Sequence, residues 1–77
     1  MRKQIKVDSV EILERGSGIT VHVWSVEGED FFEKRLAPDS SLVKKVKEIK
    51  EGNTVEVEYE EKEYMGQKLL KLKDILK

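Results

Sequence analysis

Apolar and polar residues alternate along most of this chain, and the points where the alternation slips carry as much information as the stretches where it holds. Ile5 and Val7 alternate with Lys6 and Asp8, and the apolar positions resume at Val10 and Ile12, one residue out of step. Side chains of a strand point to opposite faces in turn, so inward parity changes only where an extra residue is inserted. The spacing therefore predicts one long first strand bulged at Asp8-Ser9, bent enough to serve both halves of a closed barrel. Gly16-Ser17-Gly18 ends it in a turn.

Ile19, Val21 and Val23 alternate with Thr20, His22 and Trp24, and Phe32 and Leu36 recur beyond Glu27-Gly28, which reads as a hairpin. With Glu27-Gly28 as a two-residue turn, Val23 faces Phe32 and Ile19 faces Leu36 on the inner side. On the outer side Trp24 then faces Phe31, His22 faces Glu33 and Thr20 faces Arg35. A slip of one residue would bury Glu33 and Arg35 against valines, which favours this register. Lys34 falls opposite Val21 and requires either a snorkelling side chain or a further bulge.

Pro38 stops the third strand, Asp39-Ser40 supplies a helix N-cap, and Leu42, Val46 and Ile49 recur at helical spacing before Gly52, which is expected to close the helix. Lys44, Lys45, Lys47 and Lys50 fall on its solvated faces. Val55, Val57 and Tyr59 then alternate with glutamates, and after Met65-Gly66 the chain returns through Leu70 and Leu72. That return sets Glu60 against Lys71, Glu58 against Lys73 and Tyr59 against Leu72. Ile75 is out of step with the two leucines and implies a second bulge.

At 77 residues the chain has room for one hydrophobic core, so residues 1–77 are expected to form a single domain. No apolar run approaches the roughly 20 residues of a spanning helix, and Met1-Arg2-Lys3 leads into alternation rather than a signal-peptide core, which points to a soluble, cytoplasmic protein. The absence of cysteine excludes disulfides, thiolate nucleophiles and Cys-built zinc sites. Charged residues make up 40% of the chain, yet 15 Lys/Arg against 16 Asp/Glu leave a net charge of -1, so it is not a general polyanion binder. A Lys/Glu-rich surface of this kind accompanies thermostable proteins and designed ones alike.

The element order is strand, strand, strand, helix, strand, strand. An SH3-like barrel has only a short helical turn, and a β-grasp fold places its helix after the first hairpin, so helix position discriminates among small β folds. On this order, and on the stretch Lys50-Glu51-Gly52-Asn53-Thr54-Val55-Glu56-Val57 through Tyr64-Met65-Gly66, the chain resembles the OB-fold family over nearly its whole length. That family includes single-stranded DNA-binding and anticodon-binding domains. The resemblance implies a mainly β fold, a five-stranded OB-type Greek-key barrel with one α-helix between strands 3 and 4. The turn between strands two and three departs from the pattern of DNA-binding members, where an Asp with small residues often begins it.

OB-folds that bind single strands stack bases on aromatic residues of strands two and three, between the loops joining strands one to two and four to five. The resemblance thus assigns nucleic-acid binding to Trp24 and Phe31 as stacking groups and His22 as their neighbour. Arg35 touches the backbone, Tyr64 and Lys68 lie near the four-to-five turn, and Arg15 borders the groove. Large aromatics are costly to leave in water without purpose, and stacking uses them at roughly 1–3 kcal/mol per base. The same pair stabilises a sheet without any ligand.

Electrostatics oppose the assignment. Glu27, Glu29, Asp30 and Glu33 outnumber Lys34 and Arg35 in the hairpin, which predicts weak, salt-insensitive binding of single-stranded DNA or RNA. A lone histidine without cysteine, and a Gly16-Ser17-Gly18 turn without a phosphate-loop lysine, point away from catalysis, metals and cofactors. Three functional expectations follow: a noncatalytic binding module for single-stranded nucleic acid acting as a monomer, a designed or idealised barrel scaffold with no evolved ligand, and a protein-interaction module using the aromatic patch or a strand edge.

Overall fold

Five strands and one helix account for nearly all of residues 1–76, which the computed structural model describes: β1 (Arg2–Arg15), β2 (Gly18–Ser25), β3 (Asp30–Leu36), α1 (Ser41–Glu48), β4 (Thr54–Tyr64) and β5 (Gln67–Leu76). The strands close into a ring in the order β1-β2-β3-β5-β4, with β4 pairing back onto β1. No helix among the described residues is long and apolar enough to cross a membrane.

The first strand serves two partners because it is bulged. Residues 2–6 pair with β4, residues 7–15 pair with β2, and the register shifts between Val7 and Ser9, where Asp8 is the extra residue. Ile5 and Val7 before the bulge and Val10 and Ile12 after it can then all turn toward the core. The second expected bulge also exists: Glu58 pairs with Asp74 and Tyr59 with Leu72, so Lys73 is the extra residue and Ile75 returns to the interior. Glu60 faces Lys71 as the alternation implied, but Glu58 does not face Lys73. Arg2 takes Glu58 instead, at 3.2 Å, because Lys73 lies on the bulge.

The β2–β3 hairpin corrects the expected register. Its loop holds three residues, Val26, Glu27 and Gly28, closed by a hydrogen bond from the Ser25 amide to the Glu29 carbonyl at 2.9 Å. Gly28 occupies the left-handed region at φ 94° that ends this turn type, a position that favours glycine. One more loop residue slides β3 by one position, so Val23 faces Phe31, His22 faces Phe32 and Trp24 faces Asp30. Phe31 is consequently sealed in the core at 0% exposure, its ring edge-on to Tyr59 with centroids 5.1 Å apart, and Phe32 turns outward. Glu33 does come opposite Val21, but it is only half-buried, and Lys71 and Lys73 of β5 clasp its carboxylate at 3.6 and 3.7 Å. A third bulge, at Lys34 and Arg35, then restores Leu36 to its place opposite Ile19.

Helix α1 begins where the capping residue predicts, the Ser40 hydroxyl accepting from the Leu42 amide at 3.2 Å. It ends earlier than expected. Ile49 is already extended, and Gly52 at φ 88° turns the chain into β4 rather than capping the helix. Leu42, Val43, Val46 and Ile49 join the barrel core. On the solvent side Lys45 reaches Asp74 of β5 at 2.8 Å, and that hydrogen bond holds the Asp74 carboxyl below the ordinary value of 3.8.

Phe31→Ala should cost about 3–5 kcal/mol of stability or unfold the domain, as core aromatics do, while Phe32→Ala should change it by less than about 1 kcal/mol; urea denaturation separates the two. A carboxyl held low in the folded state contributes stability that is full above its unfolded value and fades as pH falls through the folded one. Acid unfolding as pH falls through and below the ordinary carboxylate range should therefore be less steep in Asp74→Asn than in the wild type, and identical slopes would show that the contact with Lys45 carries no linkage.

Candidate nucleic-acid interface

The slid register gives the outer face of β2 and β3 a row of three rings. His22 stacks on Trp24 with centroids 5.0 Å apart and planes within 4°, and on Phe32 at 5.8 Å and 25°. Strand alternation places His22 and Trp24 together, and cross-strand pairing brings Phe32 alongside His22. The Lys34 ammonium lies 5.8 Å from the centre of the Phe32 ring, within reach of a cation–π attraction. His22 Nδ1 lies 2.9 Å from Asp30 Oδ1. Since a carboxylate only accepts, Nδ1 carries the hydrogen, and in the neutral ring Nε2 is left as an acceptor.

Beside this row runs a groove of about 560 Å³, with His22, Phe32, Arg15, Lys34 and Arg35 among its walls. Thr20 and Leu13, paired across β1 and β2, also line it. Trp24 does not line the groove and stands behind His22, so Phe32 is the aromatic face that borders it. The alternation points to Phe31 for that role, and the three-residue loop instead turns Phe31 into the core and Phe32 outward. The signal was the glycine at the third loop position, which suits this loop as well as a two-residue turn.

The groove carries three cations, Arg15, Lys34 and Arg35, against one carboxylate, Asp30, which is already bound to His22. This reverses the acidic expectation for the hairpin. Glu29 is held by Lys3 at 3.0 Å, which in turn keeps the Lys3 ammonium above its ordinary value, and Glu33 is held by Lys71 and Lys73. Three of the hairpin's four acids are thus spoken for, and Glu27 sits in the β2–β3 loop. Among the described residues neither Arg15, Lys34 nor Arg35 forms an ion pair.

Arg35 reaches the groove from a strained backbone. It adopts φ 59°, the left-handed region that costs a residue with a Cβ roughly 1 kcal/mol. Opposite it, a Cβ on Gly18 would come within 2.8 Å of the Arg35 Cα and 3.0 Å of its carbonyl carbon, so only glycine allows the two chains to approach here. At the other side, Tyr64 and Met65 form the tip of the β4–β5 hairpin at 66% and 87% exposure. Lys68 is engaged by Glu61 at 3.2 Å and borders a second depression of about 290 Å³ shared with Asp30 and Phe32. Trp24, His22, Arg35 and Arg15 therefore gather around one face, Lys68 lies at its margin, Tyr64 lies outside both depressions, and Phe31 leaves the surface.

No group of three or more His, Cys, Asp or Glu side chains that could hold a metal occurs among the described residues. Comparison with protein-family models, with curated proteins and with solved structures finds no match to the chain. The functional reading therefore rests on the geometry of this face.

Gly18→Ala should destabilise the domain by about 1–3 kcal/mol through its collision with the Arg35 backbone. Arg35→Gly should leave stability unchanged or raise it by up to about 1 kcal/mol, because it removes the left-handed strain. Denaturation midpoints read both, and an Arg35→Gly protein weaker than the wild type by more than that amount would mean the side chain itself supports the fold.

Proposed function

We propose that the chain is an OB-type barrel that binds single-stranded nucleic acid on the outer face of β2 and β3. The strand order β1-β2-β3-β5-β4 with the helix between β3 and β4 supports the first part. The observation that carries the second is the union of an outward aromatic row with a groove holding three cations free of ion pairs. Phe32 offers a stacking face at the groove, His22 is held upright between two rings and presents its free nitrogen, and the arginines and Lys34 meet phosphate. Trp24 extends the row and buttresses His22.

Trp24 is the chain's single tryptophan and stacks directly on His22, so its fluorescence reports events in the groove. Titration with single-stranded oligonucleotides should quench it, and Phe32→Ala should weaken binding about 5- to 150-fold, the equivalent of losing one stacked base. If three charges are neutralised, the logarithm of the binding constant should fall against the logarithm of salt concentration with a slope of about −2. A flat titration at low salt, with Phe32→Ala indistinguishable from the wild type, would overturn the reading.

A further inference from the structure

The cations of the groove are not spread along a track but gathered at one end. Arg15 closes β1, Lys34 and Arg35 lie on the β3 bulge, and Arg15 pairs across the strands with Gly18, the residue packed against Arg35. Arg2, Lys3, Lys45, Lys62, Lys68, Lys71 and Lys73 each reach a carboxylate. Among the described residues the three groove cations do not, and neither do Lys6, Lys44, Lys47 and Lys50, which lie outside the groove; the bulge that presents Arg35 does so although it strains its own backbone and demands glycine opposite.

In the other direction the surface offers a continuing phosphate chain no free cation. Past Phe32 lie Asp30, bonded to His22, Glu29, bonded to Lys3, and Lys68, paired with Glu61, so no unpaired cation continues the row on that side. A strand threading the whole face would bring its next phosphates to charges that are already paired, where no cation is left to neutralise them. A phosphate monoester, by contrast, carries about −1.5 to −2 charges near neutral pH and three acceptor oxygens, against a single charge on an internal diester. Two arginine forks and a lysine match the monoester better, since guanidinium groups bind its oxygens in pairs.

We infer that the Arg15/Lys34/Arg35 end of the groove receives a terminal phosphate monoester, so that the ligand is a phosphorylated strand end or short nucleotide and not the interior of a long strand. This rests on the nucleic-acid reading and narrows it. The base next to the phosphate lies on Phe32, and the ligand ends before the side of the face whose charges are already paired.

The test compares a 5′-phosphorylated thymidine dinucleotide, its 3′-phosphorylated isomer, the unphosphorylated dinucleotide and an unphosphorylated thymidine dodecamer, all at one low salt concentration with Trp24 fluorescence as readout. At least one phosphorylated dinucleotide should bind about tenfold or more tightly than the unphosphorylated one, and no less tightly than the dodecamer. The isomer that binds identifies which strand end is held. Arg35→Gly, which eases the backbone and keeps the fold, should erase the preference for phosphate, and inorganic phosphate should compete with the preferred isomer alone. Equal binding of all dinucleotides with affinity rising with length would sink the inference and leave single-strand binding standing. Silence from every oligonucleotide would sink both.

Discussion

The ring closes through a parallel seam only two residue pairs long, Phe31 to Leu70 and Phe32 to Lys71. Every other junction is antiparallel and longer. So short a ladder supplies few backbone hydrogen bonds, and side chains complete it: Phe31 plugs the interior against Tyr59, and Glu33 is bridged by two lysines just where the backbone pairing stops. Neighbouring residues on a strand face opposite ways. Once Phe31 is committed inward, Phe32 must emerge outside, beside His22, so the aromatic face follows from closing the barrel.

Three bulges perform different tasks within this frame. Asp8 lets one strand join two partners, Lys73 returns Ile75 to the core, and the Lys34-Arg35 bulge brings Leu36 back inward after a half-buried acid while turning Arg35 toward the groove. A regular β3 would hold either the core register or the cationic groove, and the extra residue reconciles them. The accompanying strain at Arg35 and the close approach at Gly18 lie at the edge of the groove, where irregular backbone most often serves a site.

The charge distribution shows how little a total conveys. A chain of net charge -1, with an acidic hairpin, presents a basic groove because its carboxylates are drawn off by lysines distant in sequence, Lys3 to Glu29 and Lys71 with Lys73 to Glu33. Such pairs add little stability at a solvated surface. Their larger effect here is on which charges remain to meet a ligand.

Much of the architecture was legible in the linear pattern. Parity slips located the Asp8 bulge and implied a second before Ile75 without placing it at Lys73, Ser40 marked the helix start, and Met65-Gly66 set the β4–β5 pairing up to that bulge, because each depends on residues close in sequence and on the period of two or 3.6. The β2–β3 register was not legible, since a glycine loop of two residues and one of three look alike until the opposite strand is seen. Placing Glu33 opposite a core valine looks prohibitive for the same reason, its lysines lying on a strand that approaches only when the ring closes. Local pattern alone sets the elements, their order and which residues alternate. Which phenylalanine faces water and which groove cations stay unpaired are settled only by folding, because both depend on contacts between segments whose separation no local period encodes.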